Sequence, residues 1–259
     1  MIDLRGKVVL ITGAGGGLGR ALVRTFARAN ARLGLTSRDP ERLRASADIA
    51  RAEGGESAAF ACDITRRAEV EALRKNLEDR LGPVAVLVNN AGVAGAASFL
   101  EMDDALWEHT FQVNVNGTYN CCKVFLPAML EARWGRIVNI ASTTAKIAYP
   151  HVSAYASSKH AVLGLTRALA LETARLGITV NAVCPGYLDD ELTRENASRM
   201  AARTGRTPEE ILRLFAASTP QARLIDPEEV AQLALLLASE KAAAVTGQAI
   251  NVDGGAVMA

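Results

Sequence analysis

Short apolar, β-branched runs alternate with longer stretches whose apolar residues return every three or four positions, from residue 7 to residue 252. Runs of the first kind read as buried strands, and stretches of the second kind as amphipathic helices. Strands are expected at 7–12, 32–36, 57–61, 84–88, 135–141, 178–183 and 248–252. Helices are expected at 17–29, 40–53, 66–80, 104–131, 153–176 and 227–238. A helical insertion at 188–216 departs from the alternation. Strands separated by helices predict one doubly wound parallel sheet, an α/β fold with helices on both faces and the insertion as a small lid. In such sheets ligands bind beyond the carboxyl ends of the strands.

The first such end is rich in glycine: Thr12-Gly-Ala-Gly-Gly-Gly-Leu-Gly19 lies between the strand Lys7–Thr12 and a helix with Leu22, Val23, Phe26 and Ala27 on one face. Strand, glycine loop and helix in that order suit a pyrophosphate, because glycine lets the backbone approach it and the helix N-terminus attracts its charge. Further along, Tyr155 and Lys159 stand four apart in a helical stretch, on one face. Ser142 lies upstream, at the end of the fifth strand. An ammonium beside a phenol is expected to lower the phenol pKa and ready it for proton transfer. The stretch Phe111-Gln-Val-Asn-Val-Asn-Gly117 puts Asn114 inside a helical pattern, where Asn and Gly fit poorly. A kink, a cap or a water site there would account for it.

The spacing Gly13, Gly17, Gly19, with Asn89-Asn-Ala-Gly92, Asn114, Ser142, Tyr155, Lys159, Pro185-Gly186 and Asn251-Val-Asp-Gly-Gly255, resembles the short-chain dehydrogenase/reductase family, and 3-oxoacyl thioester and polyketide ketoreductases within it. The resemblance covers nearly the whole chain. It implies a Rossmann-type sheet, a nicotinamide cofactor and hydride transfer between a ketone and a secondary alcohol. Asn114, Ser142, Tyr155 and Lys159 match the family's catalytic tetrad. In relatives the Tyr passes the proton, the Lys holds the nicotinamide ribose, the Ser binds the substrate oxygen, and the Asn holds a water on a proton path. The matching cofactor contacts are Gly13, Gly15, Gly17, Leu18, Gly19, Asp63 and Ile64 beside the adenine, Asn90, Ala91, Gly92, Tyr155, Lys159, Pro185, Gly186 and Leu188. Thr144, Tyr149, His151 and Tyr187, with Ser142 and Tyr155, are expected around the substrate. After Gly186 the family usually has Thr four residues on, and this chain has Asp190. Either Thr193 replaces it, or the acids lie close to a phosphate-bearing cofactor, or they cap the next helix.

Which dinucleotide is bound turns on Leu35-Thr-Ser-Arg-Asp39. The place where NAD sites usually carry an acid holds Ser37, and Arg38 follows it. A hydroxyl and a guanidinium suit a 2′-phosphate, favouring NADP(H) over NAD(H). Asp39 either reaches the ribose or caps a helix opening at Pro40, and the cap is favoured. Gly16, where NADP-preferring relatives often carry a base, points the other way.

Composition narrows the rest. The hydrophobic fraction is 49% and the net charge +1, which disfavours a nucleic-acid partner. No apolar stretch is long enough to span a membrane. Met1-Ile-Asp-Leu-Arg leads straight into the first strand, so no signal peptide and a cytoplasmic location are expected. Cys62, Cys121, Cys122 and Cys184 lack metal-ligand spacing and read as small buried hydrophobes, and no metal is expected. Arg194, Arg199, Arg203, Arg206 and Arg213 in the insertion suit either a solvated face or the acidic groups of a coenzyme A or carrier-protein thioester. The resemblance implies a homotetramer paired through the helices near 104–131 and 153–176, although burial inside one chain explains the stripe Val162, Leu165, Leu169 equally well. Two other readings are an NAD-dependent dehydrogenase of a 3-hydroxy acid, sugar or steroid, and a dinucleotide-sensing scaffold without catalysis.

Overall fold

The computed structural model describes residues 2–258. Seven strands, β1 (Val8–Thr12), β2 (Arg32–Ser37), β3 (Ser57–Ala61), β4 (Val84–Asn89), β5 (Gly135–Ile140), β6 (Ile178–Pro185) and β7 (Ala249–Val252), form one parallel sheet. Their order is β3-β2-β1-β4-β5-β6-β7. Every residue of β1, β5 and β6 is buried, as strands covered on both faces must be. The chain winds one way from β1 to β3 and the other way from β4 onward, so a crevice opens between the ends of β1 and β4.

Nine helices among the described residues cover the sheet: α1 (Gly17–Arg28), α2 (Pro40–Ala52), α3 (Arg67–Leu81), α4 (Asp104–Phe111), α5 (Thr118–Glu131), α6 (Ser153–Thr173), α7 (Glu191–Thr204), α8 (Pro208–Ala217) and α9 (Pro227–Leu237). One apolar cluster joins α1 and α9 to one sheet face, with Leu22, Phe26, Val230 and Ala234 at its centre. The other joins α3, α5 and α6 to the opposite face through Leu73, Leu77, Phe125 and Met129. Caps set the helix starts. Asp39 accepts from Glu41 and Arg42 N–H groups, with Pro40 beginning α2. Thr207–Glu210 and Asp226–Glu229 form capping boxes for α8 and α9.

Three expected elements differ. The helix expected at 104–131 is interrupted by a π-helical stretch, Gln112–Gly117, so α4 and α5 are separate. Asn114 holds the widened turn by exchanging hydrogen bonds with the Val93 backbone, and a Cβ on Gly117 would lie 2.6 Å from Ile64 Cδ1. The insertion at 188–216 is two helices, because Gly205 takes φ 70° and ends α7. α6 gives way after Thr173 to a 3₁₀ turn ending at Gly177. Among the described residues no helix is long and apolar enough to cross a membrane.

Phe26 is fully buried between α1 and the sheet. Truncating it leaves a cavity that rigid strands cannot fill. Phe26→Ala is expected to cost about 3–5 kcal/mol of stability, read as a lowered urea midpoint.

Candidate active site

The glycine loop is held by contacts that exclude side chains. Gly13 has φ +64°, and a Cβ there would lie 2.7 Å from Ala91 Cα. A Cβ on Gly19 would lie 2.2 Å from the Gly13 carbonyl oxygen. Gly15, Leu18 and Gly19 are buried, and Gly17 is half-buried. Gly16 precedes α1 without offering a side-chain cap, so the N-terminal N–H groups of α1 face the crevice uncapped by a side chain. These residues fit a diphosphate: a backbone cradle and a helix N-terminus, with no side chain from the glycines themselves.

The end of β4 is tied to the same loop. Thr12 Oγ1 accepts from the N–H groups of Asn90 and Ala91, both at 3.0 Å. Asn90 Nδ2 donates to the carbonyls of Thr12 and Gly13 at 3.0 and 3.1 Å. Gly92 then runs beside the catalytic candidates, since a Cβ on it would come within 3.2 Å of Asn114 Oδ1 and 3.5 Å of Lys159 Nζ. Beneath, Asn89 Nδ2 donates to Asn139 Oδ1 at 2.8 Å, and Asn139 Nδ2 to Thr166 Oγ1 at 2.8 Å. This buried chain fixes the ends of β4 and β5 against α6. The bracing roles of Thr12, Asn139 and Thr166 were not anticipated from the sequence, because nothing in local spacing marks such partners.

Ser142 follows β5 and is buried. Its Oγ accepts from the Thr144 N–H at 3.1 Å and is hydrogen-bonded to the Tyr155 hydroxyl. Lys159, one helical turn beyond Tyr155 on α6, is buried and places Nζ 5.7 Å from the Tyr155 ring centroid. Asn114 Nδ2 donates to Ser158 Oγ at 2.9 Å, joining the π-helical stretch to the same helix. Asn114, Ser142, Tyr155 and Lys159 are therefore brought together, beside Gly92 and beyond β5.

The charge relation expected of Tyr155 and Lys159 is corrected. Lys159 Nζ donates to the Ile140 carbonyl at 2.9 Å, and burial pushes its pKa down to about 8. Tyr155 is pushed up to about 12, chiefly by burial, with Asp190 adding to the rise and the Ser142 hydrogen bond opposing it. Desolvation of the phenolate dominates, and the Lys159 amine is not among the groups that shift the phenol. At neutral pH the phenol keeps its proton.

At the adenosine end Asp39 is committed to capping α2, and Ser37 Oγ donates to the Asp39 carbonyl at 3.0 Å. Arg38 is exposed; burial opposes the Asp63 carboxylate, but hydrogen bonds from Thr65 and then the charges of Arg38 and Arg66 lower its pKa overall. Arg42 was not anticipated. It packs on the loop, with Cβ 2.8 Å from where a Gly15 Cβ would stand. An Arg one turn into the helix after β2 is the signal that would have found it. Ile64 is buried, and its carbonyl accepts from Asn120 at 2.9 Å.

The wall opposite comes from Pro185, Gly186, Tyr187 and Leu188. The Tyr187 ring stacks on Phe215 of α8 at 4.1 Å. Leu188 forms a parallel bridge with Ile225, which turns the chain toward α7. Asp190 caps α7 by accepting from the Thr193 N–H at 2.9 Å and lies against Gly17, whereas Thr193 is buried. Asp190, not Thr193, therefore faces the glycine loop. Thr144 is buried beside Ser142, with Oγ1 unpartnered within the protein. Tyr149 and His151 are exposed, and the His151 carbonyl accepts from Ala97 at 2.9 Å. All four cysteines are buried free thiols.

Lys159 binds fewer protons folded than unfolded once the pH passes about 8. Its contribution to stability therefore rises with pH from about 8 until the unfolded amine also deprotonates, near 10.5. In urea titrations of cofactor-free protein, Lys159→Met should be stabilised relative to wild type at pH 7. That advantage should shrink by pH 10. A difference independent of pH would contradict the depressed amine.

A family model described as "short chain dehydrogenase" matches residues 7–201. The chain is 40% identical over 251 residues to a Streptomyces coelicolor protein named "Putative ketoacyl reductase", covering 96% of each. A crystal structure of a single-residue variant of actinorhodin polyketide ketoreductase with NADPH superposes with TM-score 0.95 at 40% identity, covering 99% of each chain. An NAD⁺-bound xylitol dehydrogenase superposes with TM-score 0.93 at 28% identity, covering 97% of this chain and 99% of that one. A glycine cradle at the sheet's switch point, a Ser–Tyr–Lys cluster beside it and these matches along nearly all its length place the chain in the short-chain dehydrogenase family, as an oxidoreductase acting on carbonyl or alcohol groups with a nicotinamide dinucleotide.

Proposed function

We propose that this protein is an NADP(H)-dependent ketoreductase that interconverts a ketone and a secondary alcohol, with 3-oxoacyl or polyketide-like compounds as substrates. The observation that carries the reading is the meeting of Ser142, Tyr155 and Lys159 beside the glycine loop. The relatives named as a ketoacyl reductase and a polyketide ketoreductase with NADPH support the substrate class and the cofactor. The whole chain, residues 1–259, acts as one catalytic unit.

A nicotinamide held beside the glycine loop and Lys159 would supply the hydride chemistry at the carbonyl carbon, in either direction. Ser142 donates a hydrogen bond to the substrate oxygen and fixes it beside Tyr155. Tyr155, protonated at neutral pH, gives its proton to that oxygen as negative charge develops on it. Lys159 holds the nicotinamide ribose and restores the phenol proton. Asn114 fixes the Val93 backbone and Ser158 at the rim, and so keeps Gly92 and Lys159 in register. Gly13, Gly15, Gly17, Leu18 and Gly19 hold the diphosphate. Asp63 and Ile64 flank the adenine, and Asn90, Ala91, Gly92, Pro185, Gly186 and Leu188 line the rest of the cleft. Thr144, Tyr149, His151 and Tyr187 border the substrate.

Asp39 spends its acceptor capacity on α2, which weakens it as a ribose ligand and favours a phosphate read by Arg38. The chain works as a homotetramer, with the exposed Trp107, Tyr119 and Leu171 on α4, α5 and α6 as its contact surfaces. Buried unpaired thiols agree with a reducing cytoplasm.

Tyr155→Phe should lower kcat by about 10²–10⁴-fold with NADPH and a panel of ketones and 3-oxoacyl thioesters, while NADPH affinity stays near wild type. Retained turnover would falsify the proton-donor role. Arg38→Ala should weaken NADPH binding by about ten-fold or more and barely change NADH binding. Equal losses for the two cofactors defeat the NADP(H) assignment.

A further inference from the structure

The first residues of the lid helix α7 carry negative charge into the place where a cofactor's diphosphate belongs. A Cβ built on Gly17 would lie 2.7 Å from Asp190 Cβ and 3.3 Å from Asp190 Oδ2. Gly17 opens α1, whose N-terminus attracts anions and lacks a side-chain cap. Asp190 uses Oδ1 to cap its own helix, through the Thr193 N–H at 2.9 Å. One carboxylate thus serves the start of α7 and stands at the start of α1.

The next residue strengthens the same contact. Glu191 Oε1 lies 2.6 Å from Arg20 Nη2, and Glu191 Oε2 lies 3.7 Å from Arg42 Nη1. Arg20 in turn donates to the Gly15 carbonyl at 2.9 Å. Arg42 packs against Gly15 from the other side. The acids of α7 therefore lie against the glycine loop at Gly17 and pair with both cations beside it.

We propose that Asp190 and Glu191 form an acidic latch that docks α7 on the glycine loop and competes with the diphosphate of the nicotinamide cofactor. The proposal rests on the reading of the glycine loop as the diphosphate site. Two anions cannot share the N-terminus of α1 without strong repulsion in a partly desolvated cleft. Diphosphate binding requires the Asp190 carboxylate to withdraw, and it frees Arg20 and Arg42 from Glu191 to face the incoming charge. The latch lowers cofactor affinity and couples lid position to cofactor occupancy.

The test compares Asp190→Asn and Glu191→Gln with wild type by calorimetric titration of NADPH, ADP and adenosine. Asn retains helix-capping ability, and Glu191 is exposed, so both folds should persist. Asp190→Asn should tighten NADPH and ADP by about ten-fold, and Glu191→Gln by a smaller factor, with adenosine unchanged. Backbone hydrogen exchange in α7 of the ligand-free variants should be faster than in wild type. NADPH and ADP affinities that are unchanged or weaker in Asp190→Asn overturn the latch. An equal gain for adenosine also overturns it, because the effect is then looseness of the lid and not charge. Failure of wild type and variants alike to bind NADPH and ADP overturns the diphosphate site itself, and the latch with it.

Discussion

The structure depends on a close backbone crossing at the switch point of the sheet. The glycine loop after β1 turns back on itself so tightly that Gly19 stands against the Gly13 carbonyl, while Gly13 stands against Ala91 of the segment after β4. Side chains at these places would force the two strand ends apart. Thr12 and Asn90 convert the close approach into a fixed one by exchanging hydrogen bonds across it. Once β1 and β4 are locked in this way, the rest follows by packing. Gly92 is carried next to Lys159 and Asn114, the Asn89–Asn139–Thr166 chain holds β5 to α6, and the crevice acquires a floor that hardly yields. A cofactor site built on such rigid elements can place its reacting atoms more closely than one built on loops.

Much of this was legible in the chain. Periodicity located every strand, because buried parallel strands read as short apolar runs. The glycine spacing marked the loop, since glycine is required wherever the backbone approaches a neighbour this closely. The helix start at Asp39-Pro40 was legible because capping chemistry is local. What escaped was non-local. The break at Gln112–Gly117 was visible as an unfavourable composition, yet its form depends on the Val93 backbone, which lies far away in sequence. Arg42 and Glu191 escaped because each is an ordinary charged residue until folding sets α2, α7 and the glycine loop side by side.

The expected effect of the amine on the phenol failed for a reason of magnitude. Spacing shows that Tyr155 and Lys159 share a face, but it cannot show how much water the face keeps. Burial penalises the phenolate and the ammonium alike, and it is the largest influence on each. The Lys159 amine, bonded to the Ile140 carbonyl, is itself near its deprotonation point. In the proposed reduction this is a workable arrangement: the phenol rests in its acidic form, and a weakened ammonium stands behind it to resupply the proton. Oxidation would need the phenolate, which burial disfavours here.

Asp190 connects these two electrostatic problems. Its negative charge contributes to the raised pKa of Tyr155, and its carboxylate lies on Gly17. A displacement of α7 that clears the diphosphate site also removes an anion from the neighbourhood of the phenol. In the proposed latch, cofactor occupancy and the charge acting on the phenol are linked through one side chain. That linkage requires no long pathway, because one half-buried carboxylate lies on the loop, caps the lid helix and acts on the phenol through its charge.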